Sequence, residues 1–399
     1  MRPIFTAERK TSAKTPFLFF VTLAVCCALF LSGCGRGAAP AAEDGGPAPA
    51  EAAFSLRDMG LPEAELWLDG EKYYAFAHGS QVWVECRELQ ERFAGFSWQE
   101  ENGRLTLSDR DGHQTTLTCA EIKEGQELPA EAQAIVVRSR DNGAAECWVS
   151  PEALTAELSF RSLYDTENDT WYISPAADTS LIPRGMQVPV LMYHAVSDDW
   201  WGLEGLFMSP ATMRAHLRYL VDSGYDPIFF SDLTHAADYD KPVIVTFDDG
   251  YNNNYDELLP ILEELNVKAT VFMITGNMDH NPNFMTHEQV KELSDSPLVE
   301  IDSHTVLHRE LGSLSEEEQL IEIRDSQIVL ARVTGKIPNV ISYPAGSHDD
   351  TTMRLAAAYY DFAVDSRGDM WTVSDDFYQI DRYPIYRWAE AGDLQAMLP

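Results

Sequence analysis

The stretch Val243-Ile244-Val245-Thr246-Phe247-Asp248-Asp249-Gly250 decides how the chain is read. An apolar run rich in β-branched residues ends abruptly in two carboxylates and a glycine. Such a run reads as a buried parallel strand, and acids at its carboxyl end sit where α/β sheets and barrels keep their chemistry. Neighbouring strand residues normally point to opposite faces. At a strand end the chain is already turning, and Gly250 relaxes it further, so both carboxylates can serve one site. One can bind a metal while the other accepts a proton. Taken alone, a solvated acidic turn is the alternative.

The second stretch is Asp302-Ser303-His304-Thr305-Val306-Leu307-His308, which follows a short apolar strand at Leu298–Ile301. His304 and His308 are spaced i,i+4, so on a helical turn both imidazoles face one way, as in pairs that hold zinc. A carboxylate plus two neutral imidazoles gives three protein ligands and leaves a coordination position open. A half-exposed helix face is the alternative here.

Together, Thr246–Gly250 (TFDDG) and His304–His308 (HTVLH) resemble the first two motifs of the polysaccharide deacetylase (NodB-homology) family of carbohydrate esterases. Val188–His194 resembles the opening strand of that family's poly-N-acetylglucosamine-deacetylase-like branch, and Lys268–Phe272 the strand after the DDG helix. The resemblance covers residues 186–399 and implies an α/β fold, a distorted (β/α)7 barrel. It also implies that Asp249, His304 and His308 hold a divalent metal, zinc first, with nickel and cobalt as alternatives. Asp248 is then the general base.

Ile341–Gly346 stands where the third motif belongs, and there the resemblance makes the backbone N–H of Ala345 the oxyanion donor. Tyr343 and Pro344 beside it are substrate-contacting or supporting candidates. Ser342 occupies a position where many members carry an arginine that orients the catalytic aspartate through a fourth-motif aspartate. Asp365 is the candidate for that aspartate, and it then lacks an arginine partner at position 342. The fifth motif's Leu-x-His is missing; Gln379-Ile380-Asp381-Arg382 fills the place, and Arg382 is expected to bind or orient a group there. Return of the Asp248 proton to the leaving amine is the default for that step. His194 ends the first strand, either touching substrate or sitting as a satisfied core histidine. Asp302 replaces a small residue, either backing a ligand histidine or pointing away.

The implied activity is metal-dependent hydrolysis of N-acetyl groups on a surface N-acetylglucosamine-containing polysaccharide, an exopolysaccharide or cell-wall glycan. The rival is a catalytically weak glycan-binding or assembly protein on the same fold. The absent arginine at 342 and absent fifth-motif histidine are its support.

A chain of 399 residues suggests two domains, and 45% hydrophobic content suffices for packed cores. The amino terminus belongs to neither. Arg2, Arg9, Lys10 and Lys14 precede an apolar stretch from Phe17 to Leu31, too short for a comfortable membrane span. Leu31-Ser32-Gly33-Cys34 resembles a bacterial lipobox. The expectation is a signal peptide over 1–33 and a diacylated Cys34 anchoring the protein outside the cytoplasm on the bacterial membrane. An ordinary cleaved signal or an uncleaved anchor is the alternative. Residues 34–53, rich in Ala, Gly and Pro, read as a flexible stalk.

Losing residues 1–33 takes the net charge from −35 to −38, since four basic groups and one acidic group leave. So acidic a protein lacks the basic footprint that nucleic acid requires, and its repulsion from anionic polymers favours a neutral glycan. The oligomeric state is left open. Three cysteines remain beyond Cys34: Cys86, Cys119 and Cys147. They allow at most one disulfide plus a free thiol, and no cysteine metal cluster is evident.

Residues 54–178 read as a smaller α+β domain built on an internal repeat. Val82-Trp83-Val84, followed by Leu89 and Phe93, matches Cys147-Trp148-Val149, followed by Leu154 and Leu158. Leu105–Ser108 matches Trp171–Ser174. The pattern resembles the copper-amine-oxidase N-terminal-like domain, although no histidine cluster suggests copper. Of its aromatics, Trp67, Trp83, Trp98, Trp148 and Trp171 could stack on sugars, while the repeat-matched tryptophans fit a core. Ala176–Met186 reads as a linker, after which strands and helices alternate.

Overall fold

The computed structural model describes residues 56–78, 81–123, 126–129, 132–138, 144–373 and 376–399. The expected signal peptide, Cys34 and the stalk lie outside the described residues. In the carboxyl-terminal part, short β-branched and aromatic runs form seven strands: β1 (Val190–Tyr193), β2 (Pro242–Phe247), β3 (Ala269–Met273), β4 (Val299–Ser303), β5 (Val340–Ser342), β6 (Phe362–Val364) and β7 (Tyr383–Pro384). Their order in the sheet is β6-β5-β4-β3-β2-β1-β7, and every neighbouring pair is parallel. Parallel neighbours need crossover connections, which accounts for the alternation of strands with helices α1 (Pro210–Asp222), α2 (Leu259–Leu265), α3 (His287–Asp295), α4 (Glu316–Thr334) and α5 (Asp350–Tyr359).

The sheet curls, and one segment joins its two edges. Ile380 bridges Val364 at the β6 edge, while Ile385 N–H donates to Met192 O of β1 at 2.9 Å. Arg382 lies between these two attachments. Apolar residues of β1 to β4 pack against α1, α2 and α3, with Val245, Val271, Leu217, Leu262 and Leu293 all buried. Each such side chain contributes about 1.5–3 kcal/mol relative to exposure. Ser315 caps α4 by accepting the Glu318 N–H, and Gly335 ends it at φ 77.

The Pro227–Phe230 run pairs with β2 only through Asp226–Pro227. The Asp232 carboxylate accepts the Phe229 N–H at 3.0 Å and winds Phe230–Asp238 into a 3-10 helix instead.

The amino-terminal part is a ten-stranded sheet whose two halves share the order strand, helix, strand, strand. Gln81–Glu85 and Ala145–Val149 lead the halves and pair with each other antiparallel. Trp83 and Trp148 are fully buried, with Trp148 5.1 Å from Phe76 ring to ring, so neither is presented to a ligand. Cys86, Cys119 and Cys147 are all free thiols.

The sheet docks firmly on the barrel. Arg332 of α4 grips Asp165 through Nε at 2.6 Å and Nη2 at 2.7 Å, and Arg161 pairs with Asp361. A Cβ on Gly335 would come within 2.5 Å of the Trp67 ring, so the close approach requires glycine there. Ala176–Met186, expected as a linker, is pinned along its length. Ala177 N–H donates to Asp361 at 2.8 Å, and Gly185 N–H to Val373 O at 2.9 Å.

Candidate active site

Every candidate group sits at the carboxyl end of a strand, or in the loop that follows one. Asp248 and Asp249 follow β2, His304 follows β4, Ser342 ends β5, Asp365 follows β6, and Arg382 precedes β7. Asp249 takes a left-handed backbone conformation, φ 76, which turns it out of the strand direction. Both imidazoles converge on it: His304 Nε2 and His308 Nε2 each lie 3.6 Å from Asp249 Oδ1. A tetrahedral zinc with ligands at about 2.0–2.2 Å separates its donor atoms by roughly 3.3–3.6 Å, so the set fits such an ion.

The protonation state suits it too. His304 Nδ1 is 2.8 Å from Ser342 O, to which it donates, leaving Nε2 as the acceptor toward Asp249. Burial lowers the His304 pKa to about 4, against the opposing pull of Asp248, and so keeps the ring neutral. His308 is the open side of the site, its side chain 41% exposed.

The two histidines do not share a helical turn. His304 leaves β4, and the loop to His308 passes through left-handed Thr305 (φ 67) and His308 (φ 55). The carboxylate of Glu322, on α4, accepts the N–H groups of Val306 at 2.9 Å and Leu307 at 2.8 Å, which holds that loop in shape. Left-handed non-glycine residues cost on the order of 1–3 kcal/mol each and persist where surrounding structure fixes them.

Asp248 is 3% exposed and bound on both oxygens. Arg382 donates Nη1 to Oδ1 and Nη2 to Oδ2, both at 2.7 Å, and Ser342 Oγ stands 3.3 Å from Oδ2. Burial alone would push this carboxyl up. The charge and hydrogen bonds of Arg382, together with His304 and His194, outweigh it in sum and hold Asp248 well below the usual carboxylate range. Arg382 is itself 1% exposed; it also donates to Thr246 Oγ1 (3.1 Å), Ser342 Oγ (2.9 Å) and the backbone oxygen of Asp365 (2.8 Å). An arginine from the far end of the chain thus orients Asp248, with Ser342 and Asp365 as its supports.

After β5 the chain forms a tight turn in which Ala345 takes φ 54 and its residue is exposed. Gly346 N–H donates to Tyr343 O at 2.9 Å, and a Cβ on Gly346 would come within 2.7 Å of Asp365 Oδ1. Pro344 is buried beneath the turn. Tyr343 is 1% exposed, its side chain among Leu311, Ile323 and Leu355. It therefore supports the turn from the core and does not face substrate.

Residues 235–362 match the family model for polysaccharide deacetylase. This chain contains a polysaccharide deacetylase domain. Protein YxkH of Bacillus subtilis (strain 168) is 33% identical over 175 residues, 43% of this chain and 61% of the relative. The poly-beta-1,6-N-acetyl-D-glucosamine N-deacetylase of Escherichia coli (strain K12) is 31% identical over 137 residues, 29% of this chain and 20% of the relative. The chain thus spans less than two thirds of either protein. Among solved structures, the Streptococcus pyogenes deacetylase PplD in complex with acetate superposes with a TM-score of 0.51 at 25% identity, covering 54% of this chain and 99% of that one.

Three features of the deacetylase domain had no clear signal in sequence. His348, two residues beyond the Ala345–Gly346 turn, places Nε2 3.0 Å from Asp365 Oδ2 and its ring 5.0 Å from Tyr343. Asp302 accepts the N–H groups of Asn339 (2.8 Å) and Val340 (2.9 Å), so it fixes the start of β5 and does not back a ligand histidine. A rim of exposed apolar groups gathers around Gly205 and Arg387: Trp200 (51%), Leu203 (74%), Tyr386 (42%) and Trp388 (70%). Tyr386 and Trp388 stack 5.6 Å apart, and Arg387 between them ties the rim down by donating to Phe207 O and Asp198 O. Trp201 in the same excursion packs against Tyr251, two residues after Asp249.

A cavity of about 260 Å³ lies elsewhere, at the amino ends of the strands between Glu300, Asp302, Lys336 and Arg110. None of Asp248, Asp249, His304 and His308 lines it.

Proposed function

We propose that the protein is a metal-dependent N-deacetylase of a surface polysaccharide containing N-acetylglucosamine. The observation that carries this reading is the pairing at Asp248–Asp249: one carboxylate shares a metal-sized gap with two imidazoles, and its neighbour is held ionised by Arg382. Asp249, His304 and His308 would hold the ion; when bound, it lowers the pKa of water from about 15.7 toward ~7 and polarises an acetyl carbonyl.

The chain's own residues supply the remaining parts. Asp248 accepts the proton of the attacking water. Ala345 presents its N–H to the developing oxyanion, a contribution typically of 10²–10³ in rate, about 3–4 kcal/mol. Because Arg382 depresses the Asp248 carboxyl, the protonated form is a strong acid and hands its proton on to the leaving amine. His194 follows β1 at the same end of the sheet. The exposed pair Tyr386 and Trp388 provides a stacking face for neighbouring sugars.

The name of the Escherichia coli relative points to a β-1,6-linked polymer. The acidity of the chain, −35 overall, favours a neutral glycan over an anionic one. We further propose that the protein acts outside the cytoplasm, tethered through Cys34, on the strength of the Leu31–Cys34 sequence.

The test is acetate release from β-1,6-linked and β-1,4-linked N-acetylglucosamine oligomers, first metal-stripped and then with zinc, nickel or cobalt restored. Metal-restored release, faster on the β-1,6 series, is expected. Binding of these oligomers without release at any metal would overturn the enzyme in favour of a glycan-binding protein.

A further inference from the structure

The cavity of about 260 Å³ at the amino ends of the strands is walled by both domains, with Asp69, Arg110 and Ser174 on one side and Glu300, Asp302 and Asn339 on the other. Asp302 is fully buried, and Asn339 is 9% exposed. Neither Asp302 Oδ2 nor Asn339 Oδ1 has a hydrogen-bond partner among the described residues. Asp302 spends Oδ1 alone, on the N–H groups of Asn339 and Val340. Buried acceptors in this state are costly, charged ones most of all, so both oxygens call for a donor from outside the chain.

Strand geometry brings a third acceptor beside them. Glu300 and Asp302 lie two apart on β4 and share a face, and Asn339 leads into β5, the neighbouring strand. Burial raises the Glu300 carboxyl above its usual range, against a hydrogen bond from Ser231. Thr270 Oγ1 adds a contact at 3.4 Å. A carboxylate has about four lone-pair sites, so Glu300 keeps capacity for a ligand. The nearby cations are engaged elsewhere. Arg161 donates to Pro338 O at 3.0 Å and pairs with Asp361, while Lys336 Nζ donates to Ser294 O at 2.6 Å. Three acceptors, two of them carboxyls, match the three N–H donors of an ammonium group and disfavour an anion.

The mouth of the cavity has the opposite character. Lys336 has further N–H donors to offer, and Arg110 is exposed at the rim with Nη2 3.4 Å from Ser231 O. Phe229 and Pro175 add apolar surface between the two ends. We propose that this cavity binds a small hydroxylated primary amine, an amino sugar in its ammonium form. The ammonium meets Asp302, Asn339 and Glu300, and the hydroxyls face Lys336 and Arg110. Removing an acetyl group from a sugar uncovers such an amine, so the choice of a sugar rests on the proposed activity, while the ammonium site does not.

Titration calorimetry on the full chain tests this with glucosamine, N-acetylglucosamine and a β-1,6-linked glucosamine oligomer. It is run in the metal-stripped Asp249→Ala protein, where no metal holds ligand at the candidate active site. Glucosamine is expected to bind at least tenfold more tightly than N-acetylglucosamine, whose nitrogen carries no charge. Glu300→Gln and Asp302→Asn should each weaken glucosamine at least tenfold. Glu300 is only half-buried, so Glu300→Gln keeps the test readable if Asp302→Asn, which loosens the start of β5, fails to fold. Binding of the oligomer alone, lost in Glu300→Gln, supports the site and assigns its ligand to a chain end in place of a free amino sugar. No binding of either amine, equal binding of glucosamine and N-acetylglucosamine, or affinity untouched by Glu300→Gln overturns the proposal and leaves the cavity to water. None of these readings depends on acetate release, so failure of the site and failure of the deacetylase reading are told apart.

Discussion

Arg382 meets Asp248 through two parallel hydrogen bonds of 2.7 Å each, although 134 residues separate them. The pair is buried on both sides, so neither charge has water to fall back on. Removing one member of such a pair leaves the other uncompensated, at a cost of roughly 3–5 kcal/mol. Arg382→Met is therefore expected to lower kcat by at least a hundredfold and to lower the thermal midpoint, while metal content at Asp249 stays unchanged. Arg382→Lys should recover little activity, because an ammonium cannot reproduce the planar two-pronged contact. Steady-state kinetics beside metal analysis checks both outcomes.

A His348 variant tests which group protonates the leaving amine. With Asp248 returning its own proton, His348 merely steadies the turn through Asp365 and Tyr343. His348→Asn is then expected to reduce kcat less than tenfold and to leave the shape of the pH–rate profile intact. A loss of about a hundredfold or more, with the basic limb of the profile abolished, would transfer the acid role to His348.

Tyr386 and Trp388 should act on substrate binding and leave the chemistry alone. An aromatic stacking contact contributes about 0.5–1.5 kcal/mol, so Trp388→Ala is expected to raise KM for oligomers roughly 2–12-fold at unchanged kcat. The effect should vanish on a single-sugar substrate too short to reach the rim.

The contact between Asp165 and Arg332 makes domain docking acid-sensitive. The Arg332 hydrogen bonds lower the Asp165 pKa from 3.8 to about 2. A carboxylate depressed in the folded state contributes stability above its unfolded value, and that contribution fades as pH falls from 3.8 through about 2. Arg332→Met should destabilise the protein by about 1–3 kcal/mol near neutral pH, and the gap between variant and parent should narrow across that acidic window. Thermal midpoints measured against pH read this directly.

The parts of this molecule legible in sequence are those set by local pattern. Val243–Phe247 announces a buried strand by its β-branched run, and β2 spans Pro242–Phe247. Ser315 and Glu318 announce a helix start by their capping spacing, and α4 begins at Glu316. The spacing of the histidine pair does not carry its geometry. Spacing of four suggests a helix, but left-handed Thr305 and His308, held by Glu322 from another element, bend the loop so that both rings reach Asp249. Side-chain direction was equally out of reach at Tyr343, which points into the core. The partner of Asp248 could not be paired by any local period. Its arginine arrives on the segment that joins the two sheet edges, a consequence of topology alone.

The most direct measurement is acetate release by the metal-loaded Asp248→Asn protein beside its parent. The amide keeps the shape of the side chain and leaves Asp249, His304 and His308 in place. The account predicts full metal content, intact glycan binding and a rate at least a thousandfold lower. An Asp248→Asn protein that releases acetate at a rate near the parent's would contradict it.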